Sequence, residues 1–140
     1  NPAAQIGTEF AVSPSHYRVG GYPHHGPYGG SGTERLNVLM DDMFMRSRIL
    51  LGDAGMEKLQ NSRVLLFGLG GVGGHAAEAL ARCGVGHLSL VDHDVVAPSN
   101  LNRQLIATRE TIGQKKVDVM AKRLYSIRPD ISLSLYLLSG

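Results

Sequence analysis

The sequence has little cysteine, few aromatic residues and almost no net charge. Its single cysteine, Cys83, excludes an internal disulfide and a metal site built from cysteines. Tryptophan is absent, and a formal net charge of +2 gives no strong preference for a polyanionic partner. The longest apolar runs, such as residues 64–67, are far shorter than the roughly 20 residues of a membrane-spanning helix, and the N-terminus shows no secretory signal. We therefore expect a one-domain cytoplasmic protein with no membrane partner.

The composition changes near residue 33. Residues 1–33 contain seven of the 18 glycines, four of the six prolines and three of the six histidines, but only two charged residues. Such a segment has too few aliphatic side chains to offset the entropy lost on ordering. The sequence therefore predicts a disordered or non-native tail over 1–33, followed by a domain over 34–140.

From residue 34 onward, apolar residues recur with helix and strand periodicity. Helices are predicted over 36–51, 53–59, the stretch after Gly74, and 113–127, and strands over 63–67, 87–91 and 131–138. Strand, helix, strand, helix, strand is the first half of a doubly wound, Rossmann-like parallel sheet, so the fold class is α/β. Because parallel sheets are normally covered on both faces, we expect the chain to be a truncated, N-terminal part of such a domain, and to be inactive as an enzyme on its own.

A glycine motif follows the first predicted strand of this sheet. Residues 68–73 read G-L-G-G-V-G, with glycine at Gly68, Gly70, Gly71 and Gly73. Glycine permits a tight turn and lets phosphate approach the backbone at a helix N-terminus. Asp92 ends the next strand, where a carboxylate accepts hydrogen bonds from ribose hydroxyls. The pattern predicts a nucleotide site, and the alternative is a glycine turn used only for strand-to-helix packing.

Polar and cationic residues after Asp92 indicate which nucleotide is bound. Asn100 and Arg103 are spaced for one face of a helical turn, and Lys116 begins the next helix. These cations suit a triphosphate, because ATP cleavage builds charge on the departing pyrophosphate, whereas hydride transfer does not. The alternative for Arg103 and Lys116 is that they lie on a helix face exposed to solvent. We adopt this interpretation for Lys115. The small net charge does not favour a tRNA partner, but a local basic patch leaves that partner open; it consists of Arg103, Arg109, Lys115, Lys116, Lys122 and Arg123.

The stretch from about Arg46 to Ile131 resembles the N-terminal part of the ubiquitin-activating-type adenylyltransferases, which include the activators of bacterial sulfur-carrier proteins. The resemblance rests on residues 68–73, 92–94, 99–104 and 113–116. Within that family, residues 103–109, 116–123 and 127–129 are most similar to the tRNA threonylcarbamoyladenosine dehydratases. The resemblance implies ATP-dependent adenylation of a carboxylate, followed by cyclisation with loss of water on tRNA. The alternatives are adenylation of a ubiquitin-like sulfur-carrier protein at its C-terminus, and a non-catalytic nucleotide-binding fragment; no DNA partner is expected.

The resemblance also implies a role for each site residue. Gly70 and its neighbours admit the phosphates of ATP, and Asp92, with Asp94 beside it, holds the ribose end. Asn100, Arg103 and Lys116 are the implied catalytic residues, which bind phosphate and stabilise developing charge. Arg46 is implied to reach the ATP of the opposite subunit of a homodimer, with Arg48 as the fallback. Mg²⁺ is implied as a second cofactor, but its aspartate ligand falls beyond Gly140, so this chain is assigned no metal ligand. Cys83 is interpreted as a core or near-core thiol.

Overall fold

The computed structural model describes residues 9–12 and 32–138. Four strands and three α-helices make up this part of the chain. In order they are β1 (Glu9–Val12), α1 (Gly32–Gln60), β2 (Arg63–Phe67), α2 (Gly73–Cys83), β3 (His87–Asp92), α3 (Lys116–Ile127) and β4 (Ser132–Leu137). A 3₁₀ turn, Pro98–Asn100, lies between β3 and α3. No helix among these residues is both long enough and apolar enough to cross a membrane.

The strands form one sheet in the order β1-β4-β3-β2. β2, β3 and β4 are parallel, and Leu66 lies opposite Leu90, which lies opposite Leu135. This confirms the predicted parallel half-sheet. The carboxyl ends of β2 and β3 are adjacent, which is where open α/β sheets bind ligands.

The fourth strand, β1, is a difference from the sequence prediction. Residues 9–12 pair antiparallel with β4, so the expected disordered tail is wrong for these four residues. A segment of four residues is too short to show a periodic pattern. Its pairing supplies hydrogen-bond partners to backbone groups along one edge of β4, a strand that lies far away in sequence. Residues 1–8 and 13–31 lie outside the described residues. The predicted domain boundary at residue 34 falls inside α1, which begins at Gly32.

Helix α1 consists of two helical segments that meet at Gly52. The backbone there has φ 69° and ψ 173°, a combination that essentially only glycine adopts. The sequence predicts this break, because it places separate helices over 36–51 and 53–59.

The hydrophobic core lies between one face of the sheet and helices α2 and α3. Its fully buried members include Ala77, Ala81, Leu88, Leu90, Met120 and Leu124. On the opposite face, Leu65 and Phe67 of β2 are 53% and 70% exposed, so the described residues leave that face of β2 open. Cys83 is exposed at the end of α2, which makes the prediction of a core or near-core thiol wrong. The helix turns Ala77 and Ala81 toward the sheet and Cys83 away from it.

Arg128 joins three helices from a buried position that the sequence analysis does not anticipate. It is 2% exposed, and its Nη1 donates hydrogen bonds to the carbonyl oxygens of Ala81 at 3.1 Å and Val85 at 2.6 Å. Its Nη2 pairs with Asp130 Oδ2 at 3.0 Å. The guanidinium carbon also lies 5.2 Å from the ring centre of Phe44 in α1. The cation therefore satisfies carbonyl groups at the C-terminal end of α2 and holds α1 and α3 beside it.

Candidate functional site

The glycine loop, residues 68–73, joins β2 to α2 and is tightly closed. The Gly68 N–H donates a hydrogen bond to the Val91 carbonyl at 2.8 Å, which ties the loop to β3. Gly68 has φ 85°, a conformation that favours glycine. A Cβ placed on Gly73 would lie 1.8 Å from the Gly68 carbonyl oxygen, so any side chain at Gly73 would force the loop open.

Asp92 fixes the glycine loop from the end of β3. It is 6% exposed, and its Oδ2 accepts a hydrogen bond from the Leu69 N–H at 2.6 Å. Its Oδ1 accepts from the Asp94 N–H at 2.8 Å. Because each carboxylate oxygen has two lone pairs, both can still accept a hydrogen bond from a ligand hydroxyl. Asp92 thus holds the loop in position, and its carboxylate oxygens can accept further hydrogen bonds from a ligand beside the loop.

Lys116 and Asp94 form an ion pair next to Asp92. Lys116 Nζ lies 3.1 Å from Asp94 Oδ2, and the side chains are 6% and 50% exposed. The hydrogen bond from Lys116 is the main cause that lowers the pKa of Asp94, with His93 adding a smaller effect and burial opposing both. The Lys116 N–H also donates to the Asp94 carbonyl at 3.1 Å. The structure thereby places a nearly buried cation at the carboxyl end of β3.

The turn after β3 holds Asn100 and Arg103 in different surroundings. Asn100 is 8% exposed, and its Oδ1 accepts a hydrogen bond from the Ala97 N–H at 2.9 Å, which leaves its NH₂ group as the donor end. Arg103 is exposed, and its Nη1 donates to the Ser99 carbonyl at 3.0 Å and to Asn102 Oδ1 at 2.9 Å. A turn forms here as predicted, but the prediction that Asn100 and Arg103 share one face of it is wrong, because Asn100 is buried and caps the turn whereas Arg103 is exposed.

This turn packs directly on the glycine loop. A Cβ placed on Gly71 would lie 3.6 Å from Arg103 Cγ, and one on Gly70 would lie 3.7 Å from Gln104 Nε2. Glycine at these positions therefore brings the turn close to the loop backbone. The loop, Asp92, Asp94, Asn100, Arg103 and Lys116 make one connected cluster. Gln104 also belongs to this cluster, although no sequence pattern predicts it as a site residue. The only indication in the sequence is its position directly after Arg103.

Some predicted residues lie apart from this cluster. Arg46 is exposed on α1, and Arg48 pairs with Asp53 at 3.2 Å. The predicted six-residue basic patch is wrong as a continuous exposed surface, because Lys116 is buried and Arg123 binds Glu78 of α2. The Arg123 hydrogen bond is the main cause that lowers the pKa of Glu78.

A cluster with metal-ligand chemistry overlaps the site. One ligand atom each from Asp92, His93 and Asp94 lie within 4.8 Å of one another. However, the Lys116 ammonium lies against Asp94, and the third member of the cluster, His93, offers a nitrogen and not an oxygen. Mg²⁺ requires near-octahedral oxygen ligands, and a neighbouring ammonium repels it. The described residues therefore do not fit a Mg²⁺ site by themselves.

A separate cavity of 230 Å³ lies on the open face of the sheet, lined by Arg63, Val64, His87, Ser89, Ser134 and Tyr136 among others. His87 Nδ1 is 2.8 Å from Ser132 Oγ, which places this polar group at the amino ends of β3 and β4. Ligands of open α/β sheets bind at the carboxyl ends, so the glycine-loop cluster is the stronger candidate.

Comparison with protein families identifies the architecture. The model that describes the ThiF family matches residues 44–138, a range that contains the whole cluster. The chain belongs to the ThiF family.

Individual relatives within the ThiF family share the matched segment. The chain is 52% identical over 87 residues to the tRNA threonylcarbamoyladenosine dehydratase of Bacillus subtilis, which covers 62% of the chain and 34% of the relative. It is 48% identical over 99 residues to the sulfur carrier protein ThiS adenylyltransferase of Escherichia coli, covering 67% and 39% respectively. The chain thus spans between a third and two fifths of these relatives.

A solved structure also matches the fold. The structure of E. coli tRNA N6-threonylcarbamoyladenosine dehydratase in complex with ATP superposes with a TM-score of 0.67 and 36% identity, covering 69% of this chain and 40% of that one. The predicted Rossmann-like fold class is therefore confirmed for the described residues.

Proposed function

We propose that the protein uses ATP to activate a carboxylate by adenylation, in the cyclising dehydration of threonylcarbamoyladenosine in tRNA. One observation carries the proposal: the glycine loop is flanked by two cationic side chains, Arg103 against Gly71 and Lys116 at the end of β3. ThiF-family membership and the ATP complex of a solved relative support it. Because the chain spans only part of these relatives, the activity, substrate and partners of the whole protein belong to the proposal.

The reaction begins with attack of a carboxylate oxygen on the α-phosphorus of ATP. The bond from this phosphorus to the bridging oxygen breaks, and pyrophosphate departs with the negative charge. In the second step, another group of the threonylcarbamoyl moiety attacks the activated carboxyl carbon, loses its proton to the solvent and displaces AMP. The carboxylate oxygen leaves with AMP, so the substrate has lost the elements of water.

Arg103 and Lys116 stabilise the charge that develops in the first step. Arg103 supplies a planar guanidinium that binds phosphate oxygens in pairs, whereas Lys116 supplies a compact charge. Lys116 is nearly buried, and charge interactions are stronger where water is excluded. Its partner Asp94 is half exposed, so a triphosphate can replace Asp94 as the counter-ion of Lys116.

The remaining cluster residues bind and orient the nucleotide. The glycine loop presents backbone N–H groups and the N-terminus of α2 to the phosphates. Asp92 accepts hydrogen bonds from ribose hydroxyls while it keeps the Leu69 N–H in place. The NH₂ group of Asn100 donates to a phosphate oxygen, and its Oδ1 holds the turn.

The proposal includes a homodimer in which Arg46 reaches the nucleotide of the partner subunit. Its support is the resemblance together with the exposed position of Arg46 on α1. Mg²⁺ is expected to accompany ATP, but the described residues do not fit a Mg²⁺ site alone, and no step of the reaction is assigned to the metal.

A sulfur-carrier protein is the second candidate substrate. The similarity to the ThiS adenylyltransferase, 48% over 99 residues, specifically favours it. Its C-terminal carboxylate would undergo the same first step. The two candidates differ in the molecule that brings the carboxylate and share the nucleotide chemistry.

The test is pyrophosphate release with each substrate offered separately. We expect the whole protein to release pyrophosphate with ATP and threonylcarbamoyl-modified tRNA, and not with unmodified tRNA as the matched control. If a sulfur-carrier protein stimulates pyrophosphate release and the modified tRNA does not, the sulfur-carrier protein is the substrate. Nucleotide binding without pyrophosphate release in either case would leave a non-catalytic nucleotide-binding module.

A further inference from the structure

Phe44 anchors residues 42–51, the end of the first segment of α1. Gly52 interrupts the helix, so the orientation of these residues does not follow from the segment after it. Among the described side chains of residues 42–51, Phe44 is the only buried one, at 1% exposed. Arg48 also pairs with Asp53 across the break, but Asp53 is 92% exposed, and such a pair contributes little.

The ring of Phe44 lies in a pocket at the end of α2. A Cβ placed on Gly84 would lie 3.5 Å from Phe44 Cε1, so glycine there leaves room for the ring. The guanidinium carbon of Arg128 lies 5.2 Å from the ring centre. Arg128 is itself held in place, because its Nη1 donates to the carbonyl oxygens of Ala81 and Val85. The cation–π contact therefore docks the ring against a fixed support.

Arg46 lies on the same helical segment, two residues after Phe44. Two residues of an α-helix turn by roughly 200°, which places Arg46 on the side opposite the anchor. Arg46 is accordingly exposed, as are its neighbours Met45 and Ile49, at 56% and 79%. Because a helix is rigid over so few residues, a displacement of Phe44 would move Arg46 with it.

We propose that Phe44 and Arg128 are positioning residues, which fix the direction in which Arg46 projects from the subunit. They act on the reaction only through Arg46. This inference rests on the proposed function, in which Arg46 reaches the nucleotide of the partner subunit. It extends the role of Arg128 from a junction of helices to the active site of a second subunit.

Mixed dimers of the whole protein separate positioning from damage within one subunit. Phe44→Leu removes the ring and keeps an apolar side chain. In a dimer of one Phe44→Leu subunit and one Arg103→Ala subunit, one site combines an intact Arg103 with an Arg46 that is anchored by an intact Phe44. We expect each variant homodimer to lose adenylation by about tenfold or more, and the mixed dimer to regain activity at that complete site.

Two further mixtures complete this experiment. Arg46→Ala mixed with Arg103→Ala is the matched control, because it restores one complete site if Arg46 acts across the interface. Arg128→Met mixed with Arg103→Ala should regain activity in the same way. If Arg128→Met does not fold, Phe44→Leu tests the same contact, because it leaves the hydrogen bonds of Arg128 in place.

Hydrogen exchange tests the anchor without reference to activity. We expect Phe44→Leu to lose protection over residues 42–51 while strands β2, β3 and β4 keep theirs. Met56→Leu is the control, because Met56 is 2% exposed and also packs at Gly84, but lies after the break at Gly52. This volume-conserving change should leave both the exchange of residues 42–51 and adenylation unaltered.

Three results would overturn this proposal and leave the proposed function standing. They are full adenylation by the Phe44→Leu homodimer, unchanged exchange over residues 42–51 in that variant, and a mixture of Phe44→Leu with Arg103→Ala that stays inactive while the Arg46→Ala mixture regains activity. The last result would show that Phe44 acts within its own subunit. Failure of the Arg46→Ala mixture itself would contradict the role of Arg46 in the proposed function, and this inference with it.

Discussion

Lys116 and Asp94 lie 22 residues apart in sequence and form an ion pair with Nζ 3.1 Å from Oδ2. The Asp94 N–H donates to Asp92, and Asp92 accepts from Leu69 in the glycine loop. A continuous chain of hydrogen bonds therefore connects the loop after β2 to the first residue of α3. Binding of a polyanion at either end would act on the same network.

Asp94→Asn tests what this ion pair contributes to stability. We expect the free energy of unfolding at pH 7 to fall by about 1 kcal/mol, less than for a fully buried pair because Asp94 is half exposed. Urea unfolding measures the change. Asp53→Asn is the control, since that carboxylate is 92% exposed, and its effect should be smaller.

The contribution of Asp94 should also depend on pH. Its pKa is lower in the folded protein than its ordinary value of 3.8, so the unfolded chain takes up the proton first as pH falls. The stabilisation is present above 3.8 and is lost as pH falls through the folded pKa. The difference between the unmodified protein and Asp94→Asn should therefore be smaller at about pH 3 than at pH 7. An unchanged difference would contradict the charge-based account.

Gly73→Ala should disrupt the glycine loop. The new Cβ would lie 1.8 Å from the Gly68 carbonyl oxygen, far inside van der Waals contact. We expect a loss of more than about 2 kcal/mol in thermal unfolding, or a failure to fold. In Gly71→Ala the Cβ would meet Arg103 Cγ at 3.6 Å, an ordinary contact, so the change should stay within about 1 kcal/mol. Equal stability of the two variants would show that the loop is not closed as described.

Arg128→Met should destabilise the junction of the three helices. It leaves the Ala81 and Val85 carbonyls and the Asp130 carboxylate without their donor. We expect the free energy of unfolding to fall by about 3 kcal/mol. Arg82→Met is the matched control, because Arg82 is 54% exposed and pairs with Glu78 within α2, and it should cost less than about 0.5 kcal/mol. Similar losses in guanidinium unfolding would refute the structural role of Arg128.

Regular elements were predictable from sequence, whereas distant pairings were not. The break at Gly52, the strand that ends at Phe67 and the helix over Lys116–Ile127 follow from local periodicity and glycine positions. The sequence did not predict β1, because a strand of only four residues is stabilised by its pairing with β4 and has no periodic pattern of its own. Arg128 was missed for a similar reason, since its carbonyl partners lie more than 40 residues earlier in the chain.

Most residues of the candidate site were predictable from the sequence, whereas the contacts among them were not. The motif spacing predicts that the glycine loop, Asp92 and Arg103 belong to one site, and the structure places them next to one another. No pattern predicts that Lys116 is buried and bound to Asp94, because burial depends on how α3 packs. Gln104 was also missed, since its position beside Gly70 depends on how the turn packs on the loop.

Arg103→Ala tests the proposed phosphate contact. The guanidinium makes its hydrogen bonds within its own exposed turn, so the fold should survive its removal. Losing a charge-assisted contact that strengthens in the transition state costs about 3 to 4 kcal/mol, or roughly a hundredfold to a thousandfold in rate. Adenylation should therefore fall by at least about a hundredfold, with unfolding unchanged, and Arg82→Ala, at an exposed arginine of α2 outside the cluster, is the control. Unchanged turnover in Arg103→Ala would show the assignment to be wrong.

The most direct test of adenylation is to identify which bond of ATP the protein breaks. ATP labelled separately at its α- and γ-phosphorus is incubated with the protein and threonylcarbamoyl-modified tRNA, and the products are separated. Adenylation transfers the α-phosphorus to the substrate, so we expect labelled AMP and labelled pyrophosphate, formed in step with the cyclised product. Formation of ADP and inorganic phosphate instead would contradict the account, because it would show attack at the γ-phosphorus.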